Sequence, residues 1–125
     1  MHKKIWIVDD DRIYRLSAIA FIKLLFPEVE INEYENGKQA LDALKNNQPD
    51  LILLDLNMPI IDGWDLLNEF DDLSLKRELK VCLVSSSLDF NDRERARSNP
   101  YVSDFKLKPL SENDLKEIIS NSIEF

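Results

Sequence analysis

The stretch "LILLD" at 51–55 places four branched apolar residues in a row and ends on a carboxylate. A strand with one wet face alternates apolar and polar residues. A run that is apolar at every position needs cover on both faces, the condition of a strand inside a parallel sheet. "KVCLV" at 80–84 repeats the pattern, and "KIWIV" at 4–8 is a third such run. Two more polar runs, "EINEYE" at 30–35 and "SDFKLK" at 103–108, read as strands nearer the sheet edges.

Amphipathic segments separate these runs. "RIYRLSAIAFIKLLF" (12–26) follows Asp11, whose carboxylate suits the start of a helix, and stops at Pro27; "GKQALDALKNN" (37–47) follows Asn36 as a cap, and "GWDLLNEFDDL" (63–73) follows Asp62. "DFNDRERARSN" (89–99) ends before Pro100, and "SENDLKEIISNSIEF" (111–125) opens with a capping-box spacing from Ser111 to Asp114. Strand followed by helix, five times over, spells an α/β class: a doubly wound, five-stranded parallel sheet with five helices on both faces. Ligands in such sheets bind beyond the carboxyl ends of the strands. Within the first helix, Ile13, Leu16, Ala20 and Leu24 form one apolar stripe that reads as core. Tyr14, Phe21, Ile22 and Leu25 exceed it, either through wider burial against the fifth helix or as a surface that receives a partner's helices.

The 125 residues suit one domain, 1–125, with a sizeable core. A net charge of −8 disfavours a sequence-independent grip on nucleic acid and points to protein partners instead. No apolar run is long enough to span a membrane, no signal-peptide pattern opens the chain, and the one cysteine, Cys82, cannot form an internal disulfide; a cytoplasmic location is expected. The one histidine, His2, cannot build a zinc site or a catalytic triad.

The strand ends carry the chemistry. Asp9 and Asp10 follow the first run, Asp55 closes the third, Ser85 follows the fourth, and Lys108 with Pro109 follows the fifth. Each alone has a plain explanation as a cap, a turn residue or a surface charge. Their coincidence on one edge of one sheet is what marks a site. Clustered carboxylates raise one another's pKa unless a hard divalent ion such as Mg²⁺ keeps them ionised, and Mg²⁺ retains positions for water or phosphate oxygens. Lys108 adds a second cation and Ser85 a hydroxyl, a set suited to a phosphoryl group in transfer. Ser85 has no histidine base, whereas a carboxylate attacks without first losing a proton. Asp55, alone at the end of the most apolar strand, is the favoured nucleophile, and Asp9 with Asp10 the metal pair.

"VDDD" at 8–11, "LLDLNMPIIDG" at 53–63, "VSSS" at 84–87 and "FKLKP" at 105–109 resemble the receiver domain of bacterial two-component response regulators, over essentially the whole chain. The resemblance implies a flavodoxin-like fold with strand order 2-1-3-4-5. It makes Asp55 the phospho-acceptor for a histidine kinase or histidine phosphotransfer protein. Asp10 would bind Mg²⁺ directly, Asp9 through water, and the backbone carbonyl of Asn57 would be a further ligand. Lys108 would bridge to the phosphoryl group and Pro109 would follow a cis bond. Ser85 would be the switch hydroxyl and Phe105 the switch aromatic, while Asn57 and Ser87 occupy the positions that tune phosphoryl lifetime. Met58, Pro59 and Gly63 would shape the loop after the acceptor strand. The output would lie in a downstream protein target or in an output domain missing from these 125 residues.

Two departures from the family pattern stand out. Tyr101 and Val102 replace a frequent Gly-Ala pair, and the segment 89–99 is highly charged, the pattern of a solvated face with ion pairs. The expected product is a conformational state, so the chain reads as a signalling phospho-acceptor rather than a dedicated enzyme. A Mg²⁺-dependent aspartyl-phosphate phosphatase would need an acid two residues beyond the nucleophile, where Asn57 stands. A degenerate receiver that binds partners without phosphorylation would not need the intact Asp9, Asp10, Asp55, Ser85 and Lys108 set.

Overall fold

In the computed structural model, which describes residues 2–87 and 89–125, β1 (Lys4–Val8), β2 (Glu30–Tyr34), β3 (Leu51–Asp55), β4 (Lys80–Ser85) and β5 (Val102–Leu107) form one parallel sheet in the order β2-β1-β3-β4-β5. The two polar runs are the edges, and β3, apolar up to its terminal Asp55, lies at the centre with every residue buried. The helices are α1 (Arg12–Leu25), α2 (Gly37–Leu44), α3 (Gly63–Asn68), α4 (Phe90–Ser98) and α5 (Glu112–Ser122).

Successive strand residues point to opposite faces, which divides the core in two. Ile5, Ile7, Leu51, Leu53, Cys82 and Val84 pack with Ala18 and Ile22 of α1 and with Leu115, Ile118 and Ile119 of α5. Trp6, Val8, Ile52, Leu54, Val81 and Leu83 pack on the other side with residues of α2 and α3 and with Ala96 of α4. Burial pushes the Cys82 thiol up to about 12, so it behaves as a small apolar side chain. Among the described residues no helix is long and apolar enough to cross a membrane.

Helix starts follow the expected caps. The Asp11 carboxylate accepts from the N–H groups of Ile13 and Tyr14, Asn36 caps α2, and reciprocal capping boxes open α3 (Asp62 with Asp65) and α5 (Ser111 with Asp114). Helix ends fall short of the sequence reading. The segment 63–73 breaks after Asn68 into a 3-10 turn, Phe70–Asp72; α2 stops at Leu44 and α5 at Ser122. Phe70, at the start of that turn, is fully buried.

The stripe assigned to the core of α1 is the outer one. Ile13, Leu16 and Leu24 are 79%, 52% and 72% exposed, and Ala20 is exposed as well; Arg15, Ala18 and Ile22 face inward, with Tyr14, Phe21 and Leu25 half-buried. The physical reason is Arg15. Its guanidinium donates to the backbone carbonyl of Asp9 at 2.7 Å and to the Glu33 carboxylate at 2.8 Å, so a charged residue occupies the centre of the buried face. A search for apolar periodicity passes over a face whose middle position is an arginine held by two acceptors.

Candidate functional site

Adjacent strands deliver the site. Asp9 follows β1, Asp55 closes β3, Ser85 closes β4, and Lys108 follows β5, so the side chains meet beyond one edge of the sheet. One carboxylate oxygen from each of Asp9, Asp10 and Asp55 lies within 4.8 Å of the others. The Lys108 ammonium is 2.6 Å from Asp9 Oδ2 and 3.6 Å from Asp55 Oδ2. Asp9, Asp55 and Ser85 are buried, while Asp10 is exposed at the rim.

Backbone hydrogen bonds hold these groups in place. The N–H of Asp11 donates to Asp9 Oδ1 at 2.9 Å, and the N–H of Asn57 donates to Asp55 Oδ1 at 3.1 Å. The N–H of Lys108 donates to the Ser85 carbonyl at 2.8 Å, joining the β5 exit to β4, and the Lys108–Pro109 bond is cis. Gly63 approaches β3 so closely that a Cβ would lie 2.8 Å from the Asp55 carbonyl oxygen; its own N–H donates to the Leu56 carbonyl at 3.0 Å. Only glycine admits that approach, which seats the start of α3 against the exit of β3. In the same loop Ile60 has φ of 71°, an uncommon conformation for a β-branched residue, and its side chain is almost wholly exposed.

Burial, and then the Asp9 charge, push the Asp55 carboxyl up to about 6, against the Asn57 N–H and Lys108, which lower it. Burial also raises Asp9, opposed by Lys108. One lysine therefore does not neutralise the cluster, and the carboxylates retain a demand for positive charge. Three carboxylate oxygens at this spacing suit a hard divalent cation that takes oxygen ligands. Among the described residues no soft ligand accompanies them: Cys82 is buried in the sheet, and His2 Nδ1 donates to the Glu28 carbonyl on a different part of the chain.

Asn57 and Ser87 join the same crevice. The Asn57 amide donates to the Ser85 hydroxyl at 3.4 Å; that hydroxyl donates to the Ser87 carbonyl and accepts from the Ser87 N–H at 3.1 and 3.2 Å. Phe105 stands apart from the acidic cluster. It pairs in register with Leu83, packs half-buried against the α2–α3 side of the core, and lines a groove of about 240 Å³ with Arg93, Ala96 and Arg97 of α4. Beside the crevice, Tyr14 and Arg15 were legible in sequence only as part of the first helix. Their contacts with Lys108 and with Asp9 appear once the fold brings α1 over the β1 and β5 exits.

A five-stranded parallel sheet of this order, with an acidic triad and a lysine at its carboxyl edge, makes this a doubly wound α/β domain with its site beyond the strand ends. The sequence model of the response regulator receiver domain matches residues 5–120, and the chain belongs to that family. A crystal structure of a two-component response regulator from Cytophaga hutchinsonii shares 30% identity and superposes with a TM-score of 0.86, covering 97% of this chain and 96% of that one. An uncharacterized response regulatory protein of Staphylococcus epidermidis is 32% identical over 93% of this chain, which spans 45% of that protein's length. The receiver domain of the sensor histidine kinase PA1611 from Pseudomonas aeruginosa PAO1 shares the fold at 20% identity, with a TM-score of 0.83 and 98% of each chain covered; it was solved with a magnesium ion coordinated in its active site cleft.

Proposed function

We propose that Asp55 accepts a phosphoryl group from a phosphohistidine of a histidine kinase or phosphotransfer protein, and that the resulting charge switches a protein-binding surface. The observation that carries this reading is the placement of the Lys108 ammonium between Asp9 and Asp55, 2.6 and 3.6 Å away, inside a triad of carboxylates. An Asp55 oxygen attacks phosphorus as the phosphorus–nitrogen bond breaks, and the bonding pair returns to the imidazole nitrogen. Lys108 then faces the peripheral oxygens where charge accumulates.

Asp9, Asp10, Asp55 and the backbone carbonyl of Asn57 would hold Mg²⁺, which supplies charge neutralisation for the transferring group. The ion in the Pseudomonas receiver supports that assignment for the shared fold. An acyl phosphate on Asp55 carries a charge near −2 in place of the single carboxylate charge, at a site where Ser85 already has its hydroxyl turned to Ser87. Breaking that contact to donate to the phosphoryl group is the switch step, and Phe105 on β5 conveys it to the α4 groove. The exposed stripe of α1, Ile13, Leu16 and Leu24, supplies an apolar face for a kinase or phosphotransfer helix bundle. The purified chain, incubated with Mg²⁺ and a small phosphodonor, is expected to gain one phosphoryl group by intact mass; Asp55→Asn is expected to gain none. Equal gain by both proteins defeats the assignment.

A further inference from the structure

Lys108 has a third partner that the phosphoryl chemistry does not assign. Its ammonium, 2.6 and 3.6 Å from the two carboxylates, also sits 4.5 Å from the centroid of the Tyr14 ring. We propose that Tyr14 is a positioning residue for Lys108, whose ring face keeps the ammonium in the crevice while its carboxylate partners change. This inference rests on the phospho-acceptor reading of Asp55.

The contact has the properties that such a role needs. A salt-bridge partner is lost when its carboxylate turns to another cation, whereas the neutral ring face keeps its attraction for the ammonium. Lys108 has only 17% of its side chain exposed, so few waters are at hand to replace a lost partner. The ring itself does not depend on Asp9 or Asp55. The Tyr14 N–H donates to the Asp11 cap at 3.2 Å, and the ring packs with the α1–α5 side of the core. The hydroxyl is buried and has no hydrogen-bond partner among the described residues, and the ammonium meets the ring face, so the ring and not the hydroxyl holds the lysine. Ring and hydroxyl can therefore be separated by substitution.

Tyr14→Leu removes the ring and Tyr14→Phe removes only the hydroxyl. Without metal or phosphodonor, the side-chain ε-CH₂ proton resonances of Lys108 should lie upfield of an ordinary lysine through the ring current. They should stay there in Tyr14→Phe and return to the ordinary position in Tyr14→Leu. With Mg²⁺ and phosphoramidate, Tyr14→Leu should lose about tenfold in maximal phosphorylation rate with little change in the half-saturating donor concentration, the scale of a cation–π contact shielded from water. Tyr14→Phe should keep the wild-type rate and a thermal midpoint at least as high. An ordinary Lys108 shift in the wild type, or a wild-type rate in Tyr14→Leu once its shift has returned to normal, overturns the proposal. If wild type is not phosphorylated at all, the phospho-acceptor reading fails instead, and the shifts still decide whether the ring holds the ammonium.

Discussion

Lys108 places its ammonium 1 Å closer to Asp9 than to Asp55, 2.6 against 3.6 Å, although Asp55 lies on a strand nearer its own. The lysine therefore occupies ground that a metal held by Asp9 and Asp10 would contest. Lys108→Met should tighten Mg²⁺ binding by roughly three- to tenfold, because one positive charge leaves a partly buried site. It should at the same time abolish phosphorylation by a small phosphodonor. Titration of Mg²⁺ by calorimetry checks the first half, and weaker binding in the variant would contradict it.

Asp55 lowers the stability of the metal-free fold at neutral pH. Its carboxyl is pushed from 3.8 up to about 6, first by burial and then by the Asp9 charge. Between those values the folded chain binds more protons than the unfolded one, so stability falls as pH rises through the window and stays reduced above it. The difference corresponds to at most roughly 3 kcal/mol. Asp55→Asn keeps an acceptor for the Asn57 N–H and should unfold several degrees higher than wild type at pH 7.5 without divalent ions. The gap should shrink toward pH 4. A less stable Asp55→Asn at pH 7.5 would show that burial of the charge is compensated elsewhere.

The three consecutive aspartates divide by role. Asp11 accepts from two first-turn amides of α1 and lies outside the carboxylate triad, whereas Asp10 contributes an oxygen to it. Asp11→Ala should cost about 1 kcal/mol of stability, the usual scale of a lost cap, with Mg²⁺ binding retained. Asp10→Ala should abolish Mg²⁺ binding with little change in stability, since its side chain is exposed. Chemical unfolding and Mg²⁺ titration of both variants decide the matter, and equal loss of metal binding would refute the division.

The sheet was readable from continuous apolar runs because burial on both faces leaves no other composition for central strands. The caps were equally readable, since Asp11, Asn36, Asp62 and Ser111 satisfy amides a few residues away. The acidic cluster could be assembled because the fold rule places all strand ends on one edge. The rotation of α1 could not. It depends on Arg15 reaching the Asp9 carbonyl and Glu33, contacts to β1 and β2 that local periodicity does not encode. The same holds for the Tyr14 ring over Lys108, 94 residues apart in the chain but 4.5 Å apart in space.

The charged segment 89–99 also gained meaning only in three dimensions. α4 buries a single residue, Ala96, and is tied to α3 through Trp64: the indole N–H donates to Asp92 at 3.1 Å, and the Arg95 guanidinium lies 4.4 Å over the ring. A helix with so little apolar anchorage is readily loosened. Trp64→Phe, which loses the hydrogen bond and part of the cation–π contact, should speed amide exchange in α4 by roughly fivefold or more, with α5 unchanged. Uniform acceleration across both helices would mean that Trp64 supports the core rather than α4.

The acyl phosphate can be located directly. Borohydride reduces an acyl phosphate to the alcohol, so chain phosphorylated with Mg²⁺ and a phosphodonor, then reduced and digested, carries the mark at the accepting carboxylate. The peptide containing Asp55 should carry it, converted to homoserine, with Asp9, Asp10 and Asp11 unmodified. Reduction at one of those three residues instead, or at no aspartate, would contradict Asp55 as the acceptor.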